Sequence, residues 1–417
     1  MTLDELKIYK KILILGYGIE GKSSERFLKK FHPDANVSIA DQKNGNDYLD
    51  VQGDYDLVIK TPGIRKELIT QKYTTATNIF LANAQGITIG VTGTKGKSTA
   101  VTLIHHILQK GGKESVLLGN IGNAMLDSLT DDLIHPHTNI VLELSSYQLE
   151  DAQYSPHIAC IINIFHELHN HLSYEEYFSA KARIIAFQNN NDYFFYNDKQ
   201  SELTTLAKNT PATSIPFLPR NEIRSIIEMM SKNHKLEHNI DVTAAAFTIG
   251  RYNGISDEEI VNAIYSTKPL PHRIEYVGKY SGIDFYDDSA ANHPEAVMNA
   301  LNMLDSVSTI ILGGQDRDFH FEDVIRKLAE KNVQHIVLFP DIAQKIQSLI
   351  SSLSEYTPNV VEVHSMNEAV TQAFAVTKEN EVCLLSPGAP SYLMFKNFNE
   401  RGEAFQECIK KYAQKTS

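Results

Sequence analysis

Gly90-Val-Thr-Gly-Thr-Lys-Gly-Lys-Ser-Thr99 closes an apolar run, Gly86 to Val91 (GITIGV), and leads into a helical pattern, Ala100 to Gln109. A strand, a glycine turn and a helix in that order form a phosphate cradle. The turn aims backbone N–H groups at the anion, and the helix presents its positive end. The spacing is GxxGKST rather than GxxxxGK[ST], because Val91 stands where the longer motif has its first glycine. Gly93, Thr94, Lys95, Gly96, Lys97, Ser98 and Thr99 form the cradle. Lys97 is placed for the outer phosphates and Ser98 for Mg²⁺. A ligand-free glycine connector would leave that lysine and hydroxyl unexplained, so the stretch predicts a nucleoside triphosphate site.

Outward from it, short apolar runs alternate with helical patterns, the signature of an α/β chain with parallel sheets. Upstream, Lys11 to Leu15 reads as a strand, Gly21 to Lys30 as a helix, and Val37 to Ala40 and Leu57 to Ile59 as strands. Downstream, Ile140 to Leu144 and Ile158 to Ile164 read as strands and Tyr174 to Phe187 as a helix. Lys268-Pro-Leu-Pro-His-Arg273 looks like a linker. A further unit starts with a strand at Thr309 to Leu312, and Val382 to Leu385 is the last strand. Three α/β domains are expected, over residues 1–84, 85–268 and 269–417.

The length of 417 residues suits that number of domains, and a hydrophobic content of 42% is that of an ordinary globular chain. A net charge of −12 without a long basic block argues against nucleic acid as a partner. No apolar run is long enough for a membrane span. The acidic start, MTLDELKIYKK, lacks a signal core. Cys160, Cys383 and Cys408 form no CxxC pair. A cytoplasmic protein is expected, without a cysteine-rich zinc site.

Other clusters could carry chemistry. Gly16-x-Gly18-x-x-Gly21 follows the first strand, and Asp41 lies 20 residues beyond Gly21. That is a dinucleotide fingerprint, which would serve NAD or any diphosphate-linked nucleotide, with Asp41 bonding a ribose or base. An NAD-dependent oxidoreductase is therefore a rival reading. Glu143, at the end of a strand beside the phosphate loop, is well placed for Mg²⁺, while by itself it reads more readily as a helix cap. His166-Glu-Leu-His-Asn-His171 approaches HExxH but has its second histidine at i+3, which disfavours a zinc protease. Lys181, on a helix with Phe178, Ala182 and Ile185, would by itself be a solvated lysine.

Together these pieces resemble the Mur ligases, ATP-dependent amide-forming enzymes of peptidoglycan synthesis, over essentially the whole chain. The family loop GTxGKST matches Gly93 to Thr99. Glu143 to Glu150 (ELSSYQLE), Ser179 to Ile184 (SAKARI), Pro271-His-Arg273 and Ser386 to Gly402 (SPGAPSYLMFKNFNERG) look like the branch that adds glutamate to UDP-N-acetylmuramoyl-L-alanine. Folylpolyglutamate synthases share the loop but lack a domain of this size before it.

The resemblance implies a Rossmann-like first domain, a central P-loop ATPase sheet and a Rossmann-like third domain. The UDP precursor would meet Gly16, Gly18, Gly21, Asp41, Asn120, Ser145 and Gln148. ATP would use the loop together with Asn239, Arg273 and Asp288. Mg²⁺ would use Ser98, Glu143 and Lys181 as a carbamate, with His166, Glu167 or His169. Glutamate would meet Arg317, Ser391 and Phe398. Lys97, Glu143, Lys181 and Arg317 would carry the catalysis, and a monomer is expected. D-Glu is expected over L-Glu, and a non-catalytic UDP-sugar-binding relative is a further alternative. The chain departs from the family in one segment: DSKATN reads Asp288-Ser-Ala-Ala-Asn-His293, which puts Ala290 in place of Lys and Asn292 in place of Thr. The family's second adenine-side asparagine is Val242 here.

Overall fold

The structure is a computed structural model and describes residues 1–45, 47–130, 134–165, 171–230, 240–267, 270–316 and 319–416. It divides into two compact units, Met1–Lys268 and Pro269–Ser417.

The first unit holds two parallel sheets. One contains β1 (Lys11–Leu15), β2 (Asn36–Ala40), β3 (Leu57–Lys60) and β4 (Tyr73–Thr75), in the order β2-β1-β3-β4. The other contains β5 (Ile87–Thr92), β6 (Ser115–Gly119), β7 (Asn139–Glu143), β8 (Ile158–Ile161), β9 (Tyr193–Tyr196) and β10 (Thr213–Pro216), in the order β10-β9-β8-β5-β7-β6. β7 and β8 are buried at every residue, as expected of strands covered on both faces. Successive side chains enter opposite cores: Ile140, Leu142 and Phe194 pack on one side, Val141, Cys160 and Phe195 on the other. The first of these cores also contains Ile12, Ile14, Leu57 and Ile59 of the smaller sheet and Phe27 of the helix Ile19–Phe31. Two sheets therefore share one hydrophobic interior.

A polar buckle closes the same seam. Lys60, with no exposed surface, places Nζ 2.7 Å from Asp151 Oδ2 and 3.6 Å from Glu150 Oε1, and donates to Ile64 O at 2.7 Å. Tyr73 Oη donates to Asp151 Oδ1 at 2.8 Å, and Asn78 Nδ2 to Asp151 O at 2.8 Å. A buried ammonium is tolerated only when its charge and its donors are met in this way.

The second unit has one mixed sheet: β11 (Glu275–Tyr280), β12 (Ile283–Asp287), β13 (Val307–Gly314), β14 (His335–Asp341), β15 (Asn359–Glu362) and β16 (Val382–Leu385). Its order is β11-β12-β16-β13-β14-β15, with β11 antiparallel and the rest parallel. Ser281 and Gly282, at φ 49° and 78°, make the hairpin turn whose twist suits paired strands. The unit therefore begins with a hairpin rather than at Thr309. β11 (EYVGKY) is a half-exposed edge strand and has no apolar run to announce it. The helix expected to Phe187 stops at Ala182 and tightens into a 3₁₀ turn, Arg183–Ile185, where Arg183 Nε reaches Ala152 O at 3.1 Å. Hydrophobic periodicity does not separate those two windings. The strand expected to Ile164 ends at Ile161, because the chain leaves the sheet there to hold the phosphate turn. Among the described residues, no helix is long and apolar enough to cross a membrane.

Candidate active site

The phosphate turn sits at the carboxyl end of β5, the strand from which the order of the larger sheet runs outward in both directions. Gly96 caps the helix Lys97–Lys110 at φ 82°, and a Cβ there would come within 2.4 Å of Val242 Cγ2. Glycine is required for both reasons. The turn is held from β8 outward. Asn163 O accepts from Thr94 N and Asn163 Oδ1 from Lys95 N, each at 2.9 Å, while Asn163 Nδ2 donates to Lys95 O at 3.1 Å. Thr94 Oγ1 accepts from Phe165 N and from Tyr177 Oη, both at 2.9 Å. Asn163 and Tyr177 were not singled out in the sequence. A polar residue closing the apolar run IACIIN, and an aromatic one helical turn before Lys181, are the signals that mark them.

Three expected residues converge on this turn. Lys97 Nζ lies 3.0 Å from Gly93 O and 3.1 Å from Thr94 O. Lys181 is 2% exposed, donates to Gly93 O at 2.8 Å and lies 4.7 Å from the centre of the Tyr177 ring. It is therefore not the solvated lysine that its helix alone suggested. Glu143 ends β7, in register with Val91 of β5, and is 5% exposed. Its Oε2 is buried without a hydrogen-bond partner among the described residues. Ser98, in the first helical turn, is also buried. A buried acidic oxygen without a donor among the described residues, at the end of the strand paired with β5, is the hard-oxygen chemistry that suits Mg²⁺. His166, Glu167 and His169 lie outside the described residues, as do Asn239 and Arg317.

The expected precursor residues lie in the same unit. Gly16 turns at φ 89°, where a Cβ would strike Thr61 Oγ1 at 2.0 Å, and a Cβ on Gly21 would strike Gly16 O at 2.2 Å. These two glycines are needed for packing, whereas Gly18 has open space where its Cβ would be. Asp41 Oδ2 accepts from Tyr17 N at 2.6 Å and Oδ1 from Lys43 N at 3.1 Å, and these bonds hold its carboxyl below the usual range. Asn120 is exposed, and its N–H reaches Glu143 O at 3.4 Å. Ser145 and Gln148 form a capping box: Gln148 N donates to Ser145 Oγ at 3.3 Å and Ser145 N to Gln148 Oε1 at 2.9 Å. Gln148 Nε2 also donates to Glu20 Oε1 at 2.5 Å.

In the second unit, Asp288 is buried, with Oδ2 accepting from Ser386 Oγ at 2.7 Å and Oδ1 from Ile274 N at 3.3 Å. Burial pushes its carboxyl up to about 7, opposed in part by the charge of Arg273. Arg273, which is exposed, lies between His272 and Ile274, both in the left-handed region at φ 59° and 50°. Ser391 lines an open, mostly apolar pocket with Gly313, Gly314, Phe339, Leu393 and Arg401. Phe398 starts the last helix, and its carbonyl accepts from Ser289 Oγ at 2.8 Å. The altered segment at Ala290 to Asn292 is fastened by Arg401, which is 1% exposed. Arg401 donates to Ser289 Oγ at 3.0 Å, to Ser289 O and Asn292 Oδ1 at 2.8 Å each, and to Ala389 O at 2.9 Å. It stays in the last helix and was not among the expected site residues.

His272 Nδ1 lies 2.7 Å from Asp287 Oδ2, and Gln406 Nε2 donates to that oxygen at 3.0 Å and to Glu275 Oε2 at 3.2 Å. The bond to Asp287 raises the imidazole pKa above its ordinary value. Its stabilisation is therefore complete below about pH 6.5, the unfolded value, and is lost as pH rises through the folded value. Burial of Asp288 acts in the same direction, since its raised carboxyl also favours the protonated, folded form. The urea midpoint of the parent should fall between about pH 6 and 8. In His272→Gln the slope should be smaller, and an unchanged slope would remove His272 from the account.

Residues 91–254 match the family model described as the Mur ligase middle domain, and residues 272–388 match the Mur ligase, glutamate ligase domain. The UDP-N-acetylmuramoylalanine--D-glutamate ligase of Thermosipho africanus is 30% identical over 429 residues, covering 96% of this chain and 98% of that one. The fold is similar to that of UDP-N-acetylmuramate-alanine ligase MurC from Thermotoga maritima, with a TM-score of 0.59 at 18% identity over 98% of this chain and 100% of the other. It is also similar to MurF ligase from the same organism in complex with ADP, with a TM-score of 0.60 at 13% identity over 97% and 95%. With two family models meeting its loop and its mixed sheet, and a relative aligned almost from end to end, the chain belongs to the Mur ligase family.

Proposed function

We propose that this chain is the ATP-dependent ligase that adds glutamate to UDP-N-acetylmuramoyl-L-alanine in peptidoglycan precursor synthesis. The observation that carries the reading is that Lys97 and Lys181 bond to the Gly93–Ser98 turn while Glu143, in register with the end of β5, keeps a buried oxygen without a partner among the described residues. The name of the aligned relative supplies the substrates. Beside that family membership, neither a dehydrogenase reading of the Gly16 turn nor a non-catalytic UDP-sugar-binding role is favoured.

In the first step an alanyl carboxylate oxygen bonds to the γ-phosphorus of ATP and the bond to the ADP oxygen breaks, leaving an acyl phosphate. The glutamate amine then attacks the acyl carbon, loses a proton and expels phosphate. Backbone N–H groups of the turn and the Lys97 ammonium bind and orient the phosphates, so the chain contributes mainly position and preorganised charge. Ser98 and Glu143 would hold Mg²⁺, which supplies charge neutralisation on the phosphates. Lys181 enters the reading as a carbamate, an anion able to serve the same metal. Asp41 and the Gly16–Gly21 turn receive the UDP end. Asn239, Arg273 and Asp288 serve ATP, and Arg317, Ser391 and Phe398 serve glutamate. The enzyme works as a cytoplasmic monomer.

D-Glu is favoured over L-Glu, although Ala290 and Asn292 replace two polar anchors, because the relative is named for D-glutamate. Phosphate release from ATP with UDP-N-acetylmuramoyl-L-alanine decides the matter, run with D-Glu, with L-Glu and without amino acid, with and without added bicarbonate. Turnover should need the precursor and D-Glu and rise with bicarbonate. If neither enantiomer supports turnover while another amino acid does, the glutamate assignment falls.

A further inference from the structure

The glycine turn after β1 carries a carboxylate that the reading above leaves unused. Glu20 stands in the first turn of the helix Ile19–Phe31, two residues beyond Gly18. Its Oε1 takes the Gln148 amide at 2.5 Å, and its Oε2 is buried without a partner among the described residues. Lys60 of β3 is the cation whose charge acts on it. That ammonium is already committed to Asp151, Glu150 and Ile64 O. The carboxylate of Asp41, at the end of β2, is engaged by Tyr17 N and Lys43 N. An ionised Glu20 would thus face a second anion whenever a diphosphate docks on this turn, with no counter-charge committed to it among the described residues. A protonated carboxyl removes the repulsion and turns an acceptor into a donor.

We propose that Glu20 is a precursor-binding residue that acts as the neutral acid, donating from Oε2 to the nucleotide diphosphate, so that binding takes up a proton. The inference rests on the reading of the Gly16–Gly21 turn as the UDP site. Burial agrees with it: desolvation pushes this carboxyl up to about 7, against the opposing Gln148 bond and Lys60 charge. A diphosphate close by would push it higher still. Gln148 links the event to the larger sheet, because the amide that holds Glu20 also belongs to the capping box that follows Glu143.

The test is calorimetric titration of the intact chain with UDP-N-acetylmuramoyl-L-alanine, from about pH 6.5 to 8.5, in two buffers of different ionisation enthalpy. The ligand's diphosphate is a diester and its carboxylate is already ionised, so it brings no proton change of its own. Proton uptake by the parent should approach one per ligand at the alkaline end. Its Kd should rise by about tenfold per pH unit above the carboxyl's own pKa. Glu20→Gln, which keeps the shape without the charge, should bind with a flat pH profile and take up no proton. A parent that binds with pH-independent affinity and no uptake overturns this inference alone, as does a variant that keeps the parent's slope. A parent that fails to bind at any pH overturns the UDP-site reading and this inference with it. Should Glu20→Gln fail to fold, the parent's proton count decides by itself.

Discussion

Lys97→Ala loses ATP-dependent phosphate release by about 10²–10³-fold, the size expected when one preorganised charge is removed from a developing anion. The effect falls on turnover rather than on folding. Lys97 Nζ is half-buried and bonds to the Gly93 and Thr94 carbonyls, but the turn keeps its shape through other donors: Asn163 Nδ2, Thr94 N, Lys95 N and the Tyr177 hydroxyl. Far-UV circular dichroism and the thermal midpoint of the variant should therefore stay near those of the parent while steady-state phosphate release collapses. Near-normal release would show that the Gly93–Ser98 turn is not the phosphate cradle.

Arg401→Ala should have the largest effect on stability, about 3–5 kcal/mol against the unit Pro269–Ser417. The guanidinium satisfies two buried carbonyls, Ser289 O and Ala389 O, and two side-chain oxygens. Truncation strands those carbonyls away from water, and each costs about 1–3 kcal/mol, part of which water entering the gap offsets. Burial lowers the pKa of the guanidinium to about 10, so it remains charged at neutral pH. Arg401→Lys keeps the charge but not the planar fork and should recover only part of the loss. Urea unfolding followed by tyrosine fluorescence measures this, and a midpoint equal to the parent's would overturn it.

These two residues differ in how plainly the sequence announces them. Lys97 belongs to a local pattern in which a strand, a turn and a helix each leave a signature within a few residues. The same holds for Lys11–Leu15 and Val382–Leu385, strands whose apolar runs match their observed bounds. Arg401 makes three of its four bonds to Ser289 and Asn292, 109 to 112 positions away, and no local periodicity records a partner at that distance. The Glu20–Gln148 bond spans 128 positions and is hidden for the same reason. β11 was missed for a different cause, since an edge strand exposed on one side carries tyrosines and charges instead of an apolar run. Burial was the remaining blind spot. Lys181 has the neighbours of an ordinary surface lysine, and only the packing of its helix against the phosphate turn removes it from water.

The Lys60 buckle also constrains how such proteins can be recombined. Its cation lies on one sheet, and Asp151, the carboxylate that answers it, lies 91 residues later in the turn after Gln148, beyond β7 of the other. A chimera that takes the first 84 residues from a relative lacking this lysine would leave Asp151 buried with Tyr73 and Asn78 positions to satisfy and no charge to balance it. The reverse graft would strand an ammonium in the hydrophobic interior common to both sheets. Module exchange with a junction after residue 84 therefore has to carry residues 60 and 151 as an inseparable pair, whereas a junction between the two compact units, at 268–269, cuts no bond of this buckle.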